Sequence, residues 1–294
     1  MTGSAPTRPP SLDQWQAAGA TFHWCGHDLF YRYQPNPGKP VLLLVHGFPS
    51  ASWDWWALWP TLSQHYQLLS ADMLGFGLSD KPHPHRYRIA DQARMLLDLM
   101  AELGLSEAHI LAHDYGDTVT QELLARQLEG STGVRWQSVT LLNGGLFPEA
   151  HRPLPIQRLM AGPLGPLLAR LLGERRFKAS LQRIWGETPP TEAELDTLWQ
   201  LLCLKRGQRV IPGLIQYMAE RRQYRTRWVD ALQRTEGPLT LIDGLADPIS
   251  GQSLVDRFRQ LCPQGRVVTL PGVGHYPQLE APQAVLQALS DCIR

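Results

Sequence analysis

The hydrophobic positions along this chain follow two rhythms that alternate over most of its length. Continuous apolar runs of strand length recur at "PVLLLVHGF" (40–48), "YQLLSADMLGFG" (66–77), "AHILAHD" (108–114), "WQSVTLLNGG" (136–145), "PLTLIDGLADP" (238–248) and "GRVVTLPGVGHYP" (265–277). An unbroken apolar run is the mark of a strand buried on both faces. Between the runs lie segments of helical spacing, such as "RIADQARMLLDLMAELGL" (88–105), with Gly104 placed to end the helix. "GDTVTQELLARQL", "SLVDRFRQL" and "PQAVLQALSDCI" read the same way, and "SWDWWALWPTL" predicts one short helix. "TFHWCGHDLFYRYQ" (21–34) alternates about a turn at Cys25-Gly26-His27-Asp28 and predicts an opening hairpin. Strands alternating with helices predict an α/β protein with a mostly parallel sheet, covered by helices on both faces.

Residues 147–235 break the rhythm. This stretch shows no strand pattern and reads as short helices punctuated by Pro163, Pro166, Pro189 and Pro190. It predicts a helical cap inserted after the sixth strand, with residues 1–146 and 236–294 forming the core. Within it, "LMAGPLGPLLARLLG" (159–173) has an apolar content that suits a membrane surface. Its glycines and prolines interrupt a helix and Arg170 is its only charge, so a buried cap segment is expected. "ERRQYRTRW" (220–228) carries four arginines and is expected to be a solvated face.

Bulk properties remove several function classes. The 294 residues are 43% hydrophobic and 19% charged, with a net charge of +1, so no strong field points to nucleic acid or anionic lipid. The four cysteines, Cys25, Cys203, Cys262 and Cys292, lack C-x-x-C spacing, which suits a reduced, cytoplasmic protein. "MTGSAPTRPPSLDQW" lacks an apolar signal core and is expected to be a loose tail, and no run is long enough to span a membrane. His83 and His85 lie in "KPHPHRY" without a nearby carboxylate, so a surface loop is expected there and no metal. Trp53, Trp55, Trp56 and Trp59 crowd one segment and are read as core packing.

Candidate chemistry sits where the apolar runs end. "ILAHDYGDT" (110–118) has the outline of a strand-to-helix elbow, with Ala112 and Gly116 as small flanks, but its centre is Asp114 rather than serine. "HGFP" (46–49) ends another run; there Gly47 is expected to let the backbone turn, so that the Phe48 N–H joins the Tyr115 N–H in an oxyanion hole. "GLADP" (244–248) presents Asp247, and "GVGHYPQLE" (272–280) presents His275. Nucleophile, acid and histidine in that chain order, each at the carboxyl end of a strand, form the pattern of a hydrolytic triad. Asp243 is the competing acid, less well placed inside its apolar run. Asn143 ends a further strand, but an amide cannot serve as the acid. His113 is expected to pack or hydrogen-bond near the elbow.

These motifs resemble the α/β-hydrolase fold, in the branch of epoxide hydrolases and haloalkane dehalogenases. "HGFP", "HDYG" and "GHYPQLEAP" are similar to that branch's motifs, and "GFGLSDKP" (75–82) to the dehalogenases. "HDYGDTVTQELLAR", "NGGLFPEAHRP" and "RRQYRTRWVDAL" look closest to mesoderm-specific transcript proteins and their bacterial relatives. The resemblance covers the chain from about residue 20 and implies an aspartate nucleophile beneath a helical cap.

An aspartate at the elbow has a chemical logic. A carboxylate is already ionised at neutral pH. It can displace a leaving group from saturated carbon and form an alkyl ester. His275, oriented by Asp247, then activates a water that attacks the ester carbonyl. Dehalogenases of the branch typically place tryptophan after the nucleophile and asparagine after "HG". Here Tyr115 and Phe48 stand there, without side-chain N–H groups; Trp185 of the cap is one possible donor. Epoxide hydrolases use two cap tyrosines: Tyr217 is set like the second, and residues 147–216 contain no tyrosine to serve as the first. The expected function is epoxide hydrolase-like, with a dehalogenase or a non-catalytic ligand-binding protein as alternatives. The expected partners are a small apolar organic substrate and water, with no cofactor, nucleic acid or membrane, in a monomer or homodimer.

Overall fold

The structure is a computed structural model that describes residues 8–291. Eight strands form one sheet: β1 (Ala20–Trp24), β2 (His27–Gln34), β3 (Val41–Val45), β4 (Gln67–Ala71), β5 (Glu107–His113), β6 (Arg135–Leu142), β7 (Leu239–Gly244) and β8 (Arg266–Leu270). Their spatial order is β1-β2-β4-β3-β5-β6-β7-β8. β2 runs antiparallel to β1 and β4, and every pairing from β4 through β8 is parallel. All five residues of β3 are buried, as its unbroken apolar run requires when helices cover both faces.

Local differences from the sequence reading have local causes. The hairpin closes through two residues only: Trp24 pairs with His27, while Cys25 and Gly26 both take positive φ, the geometry that suits the strand twist. The tryptophan segment is a 3₁₀ turn (Ser52–Trp55) followed by a separate helix (Trp59–Leu62), rather than one helix. Its four tryptophans are buried, and Trp59 meets Trp15 edge to face with the Arg32 guanidinium over both rings. The N-terminal stretch is not loose where it is described. Residues Leu12–Ala17 form a helix because Ser11 and Gln14 cap each other's backbone N–H groups. Residues 1–7 and Cys292 lie outside the described residues.

Between β6 and β7 the chain forms seven short α-helices and one 3₁₀ segment, and no strand. The expectation of a buried 159–173 does not hold. Met160, Gly165 and Ala169 are buried there, whereas Leu159, Leu164, Leu167 and Leu171 face solvent. Pro163 lies in the gap between two six-residue helices and Pro166 sits in the first turn of the second, and both helices are too short to turn every leucine inward. No described helix is long and apolar enough to cross a membrane.

Candidate active site

Five loops at the carboxyl ends of β3, β5, β6, β7 and β8 converge above the sheet. The sharpest is the elbow between β5 and helix Tyr115–Leu128. Asp114 holds φ 47°, ψ −102°, a conformation that L-residues rarely adopt. The elbow is possible because its neighbours are small. A Cβ on Gly116 would lie 2.3 Å from the Val45 carbonyl oxygen of β3. A Cβ on Gly47 would lie 2.5 Å from His113 Nδ1 and 3.2 Å from Asp114 Cβ. Gly47 is thus required for close approach, and it makes its turn without a positive φ.

The "HGFP" loop is shaped by its own histidine. His46 is fully buried; its Nδ1 bonds the Gly47 carbonyl at 2.8 Å, and its Nε2 accepts the Met73 N–H at 3.1 Å. This sets Phe48 so that its N–H donates to Asp114 Oδ2 at 3.2 Å. The Tyr115 N–H opens the following helix and has no acceptor within it.

His275 is buried, and its Nδ1 donates to Asp247 Oδ2 at 2.7 Å, leaving Nε2 as the free ring nitrogen. Burial alone would lower its pKa, but the Asp247 carboxylate, then Asp114, outweigh that and raise it to about 9. Asp247 is held by more than His275. Its Oδ1 accepts the Ile249 N–H at 2.8 Å, and its Oδ2 accepts Ser250 Oγ at 2.5 Å and Asn143 Nδ2 at 3.0 Å. Burial works against its charge, yet His275 and these donors keep its pKa below the ordinary value. Asp243 is also buried, but neither of its carboxylate oxygens has a partner, and burial beside Asp247 and Asp117 pushes its pKa well up. Asn143, which cannot be the acid, clamps the loop that carries the acid: its Oδ1 accepts the Gly244 N–H at 2.8 Å. His113 lies beneath, with Nε2 on the His275 carbonyl at 2.7 Å; burial, then the His275 charge, holds its pKa at about 3.

From the opposite side the helical insertion brings Tyr217 and Arg221, one turn apart on helix Tyr217–Gln223. Both are buried, Arg221 being 2% exposed, so the arginine run is not wholly a solvated face. Arg221 Nε donates to Thr118 Oγ1 at 2.7 Å, and its Nη2 reaches the Asp114 carbonyl at 3.1 Å and Oδ1 at 3.4 Å. Burial opposes the Asp114 charge, but His275 and Arg221 outweigh it, so the carboxylate is held ionised. Tyr217 packs on Tyr115 and Phe48 with its ring under the Arg221 guanidinium, and its buried hydroxyl has no hydrogen-bond partner. Arg221 Nη1 and both ring nitrogens of His151 are also buried without partners. Arg221 Nη1 and His151 Nδ1 converge over Gly145, where an added Cβ would lie 2.0 and 3.0 Å from them. Burial, then the Arg221 charge, holds the His151 pKa at about 3.

Beside His275 opens an apolar cavity of about 100 Å³, walled by Phe48, Met160, Phe177, Leu181, Ile211 and Ile215. Trp185 stacks on Tyr276 with ring centroids 4.5 Å apart, and neither ring lines the cavity. Asp114, Asp247, His275, Phe48, Tyr115 and Tyr217, all named from the sequence, therefore meet at one place.

Residues 40–282 match the family described as alpha/beta hydrolase fold. The chain belongs to that family. This alpha/beta hydrolase is 40% identical over 294 residues to the mesoderm-specific transcript protein of Mus musculus, covering 96% of this chain and 88% of that protein. It is 24% identical to haloalkane dehalogenase 2 of Mycobacterium bovis over 85% of this chain and 86% of that one. In three dimensions it is similar to an alpha/beta hydrolase fold protein from Burkholderia ambifaria. That match has a TM-score of 0.78 at 22% identity, over 92% of this chain and 97% of the other.

Proposed function

We propose that this hydrolase cleaves its substrate through an alkyl ester on Asp114. The observation that carries the reading is the bond from the Phe48 N–H to Asp114 Oδ2. In such an ester the oxygen that turns negative during hydrolysis is the nucleophile's own carbonyl oxygen, and a donor already stands on that carboxylate. Asp114 attacks a saturated carbon of the substrate. Water then enters at the ester carbonyl and gives its proton to His275 Nε2, while Asp247 orients the ring and stabilises its charge. The C–O bond to the substrate breaks, and His275 returns the proton to the departing alkoxide.

The leaving group is assigned from the opposite wall. Tyr217 is the proton donor, since it is buried against Tyr115 and Phe48, within the field of the Asp114 charge. Arg221 Nη1, unpartnered, supports the negative charge that develops there, in the place of the absent first tyrosine. An epoxide fits this wall because its oxygen departs as an alkoxide that needs a proton, which Asp114 gives back to the Tyr217 phenolate when its acid form is released. Phe48 and Tyr115 offer no side-chain N–H to a halide, which ranks dehalogenation second. The apolar cavity suits a small apolar substrate, with the inserted helices, residues 147–235, acting as the cap.

The test is an intact-mass measurement on His275→Ala mixed with terminal epoxides and with matched bromoalkanes. The first step needs no histidine, so an adduct should accumulate. It should weigh the whole substrate for an epoxide and the alkyl group alone for a halide. Tyr217→Phe should slow epoxide opening by about 10²-fold. No adduct from either class, while the native protein turns one over, refutes the ester route. A protein that turns over nothing and binds a small apolar ligand tightly is a binding protein instead.

A further inference from the structure

Six large hydrophobic side chains are exposed among the described residues, and five of them fall between 156 and 171. Ile156 is 36% exposed, Leu159 51%, Leu164 60%, Leu167 56% and Leu171 61%. Isolated exposed leucines are ordinary on soluble proteins; five exposed apolar side chains within sixteen residues, on two successive short helices and the caps of the second, are not. Charge sets the strip apart as well. From Ala150 to Gly173 there is no Asp or Glu. Arg152, Arg158 and Arg170 lie within this stretch, and Arg175 and Arg176 follow it. All five are exposed, and none forms an ion pair among the described residues. The flanking carboxylates are already engaged: Glu149 holds Arg225 and Arg257, and Glu174 holds Lys178. A chain of net charge +1 thus carries one face that is apolar and locally cationic.

We propose that this face of the insertion docks on the surface of an anionic lipid bilayer, with Leu164 and Leu167 entering the headgroup boundary and the arginines against lipid phosphates. Leucines rimmed by unpaired arginines are the composition that such a surface binds. A second copy of the chain fits less well. A two-fold contact sets the strip against itself, arginines facing arginines with no carboxylate between them. The strip also borders the apolar cavity beside His275: Ile156 lines it together with Leu154, Met160 and Leu172. The proposal concerns peripheral docking, and it stands whatever group Asp114 attacks.

The experiment is flotation of the full chain with phosphatidylcholine vesicles, with and without phosphatidylglycerol. Anionic vesicles should bind at least ~10-fold more tightly than neutral ones, and about 0.5 M salt should weaken that binding. Leu164→Glu/Leu167→Glu should lose ~10-fold or more of the vesicle affinity. Both side chains are exposed, so circular dichroism and thermal unfolding should match the native protein. Arg170→Gln/Arg175→Gln/Arg176→Gln, an independent variant, should erase the preference for anionic lipid. Three results overturn the proposal: a native chain that stays free of anionic vesicles, a double Glu variant that binds as well as native, or sedimentation showing a dimer that the double variant dissolves while vesicles bind neither protein.

Discussion

Removing the charge of Asp114 while keeping its shape should retune His275. The histidine lies buried between two carboxylates and is held at about 9. At pH 7 only ~1% of it is then neutral. A protonated imidazole cannot take a proton from water, so on the proposed route the histidine must lose its proton before the second step. An ester on Asp114 would favour that loss, because an esterified Asp114 carries no charge. A nearby opposite charge is worth roughly 1–3 pKa units. Neutralising Asp114 should therefore lower the His275 midpoint by roughly that much and raise its neutral fraction at pH 7 about tenfold or more.

Asp114→Asn mimics that neutral state. The assay is an NMR titration of labelled histidine rings, with the His275 signal assigned by its loss in His275→Gln. Intact mass must confirm that the amide persists. His113 and His151, held at about 3, stay neutral throughout and do not obscure the midpoint. If His275 titrates at the same pH in both proteins, Asp114 does not govern its protonation, and the argument that the ester switches on its own base fails.

Three further outcomes follow from the same geometry. Asn143→Ala removes the donor to Asp247 Oδ2 at 3.0 Å and the clamp on Gly244, so kcat should fall about tenfold with KM little changed, read from initial rates across pH; a fall in KM instead would tie Asn143 to binding. Gly116→Ala forces a methyl to within 2.3 Å of the Val45 carbonyl, which should cost roughly 1–3 kcal/mol in urea unfolding, and an unchanged midpoint would contradict the close approach. Because its folded pKa lies above the ordinary imidazole value of about 6.5, His275 stabilises the fold below that pH and loses this contribution as pH rises toward 9, by roughly 3 kcal/mol at most; the stability gap between native protein and His275→Gln should shrink over that window, and a gap that stays flat with pH contradicts it.

What the sequence made legible depends on how local each signal is. Asp114, Asp247 and His275 each close an apolar run, so their convergence follows from parallel strands ending on one edge. Asn143 also closes such a run, but its work on Asp247 is visible only when β6 and β7 lie side by side. Arg221 is one of four arginines in "ERRQYRTRW", and composition favours a solvated face for such a run. The overlooked signal is spacing. Tyr217 and Arg221 are four residues apart, so a helix that turns Tyr217 toward the elbow must turn Arg221 there too. His151 carries no periodic signal at all, since it lies in a loop after "LFPEA". The exposed leucines of 159–171 were hidden by the opposite fault: apolar content argues for burial, and only the shortness of the two helices shows that nothing covers them.

The two halves of the insertion are fixed to different degrees, and this bears on both proposals. Its later half is anchored to the elbow's own helix. Arg221 bonds Thr118, and Trp228 Nε1 and Arg227 both bond Glu122. Glu220 accepts the Ile89 N–H at 2.9 Å. The bonds to Thr118 and Glu122 tie Tyr217 and Arg221 to the same fourteen-residue helix that begins at Tyr115, and the bond to Ile89 ties them to the neighbouring helix Ile89–Glu102. The earlier half, helices Pro155–Met160 and Gly165–Arg170, presents most of its leucines and arginines outward and supplies Ile156, Gln157 and Met160 to the cavity wall. Charged substitutions on its outer face should therefore change where the protein resides without moving the groups that hold Asp114. The same substitutions on Tyr217 or Arg221 should do the reverse.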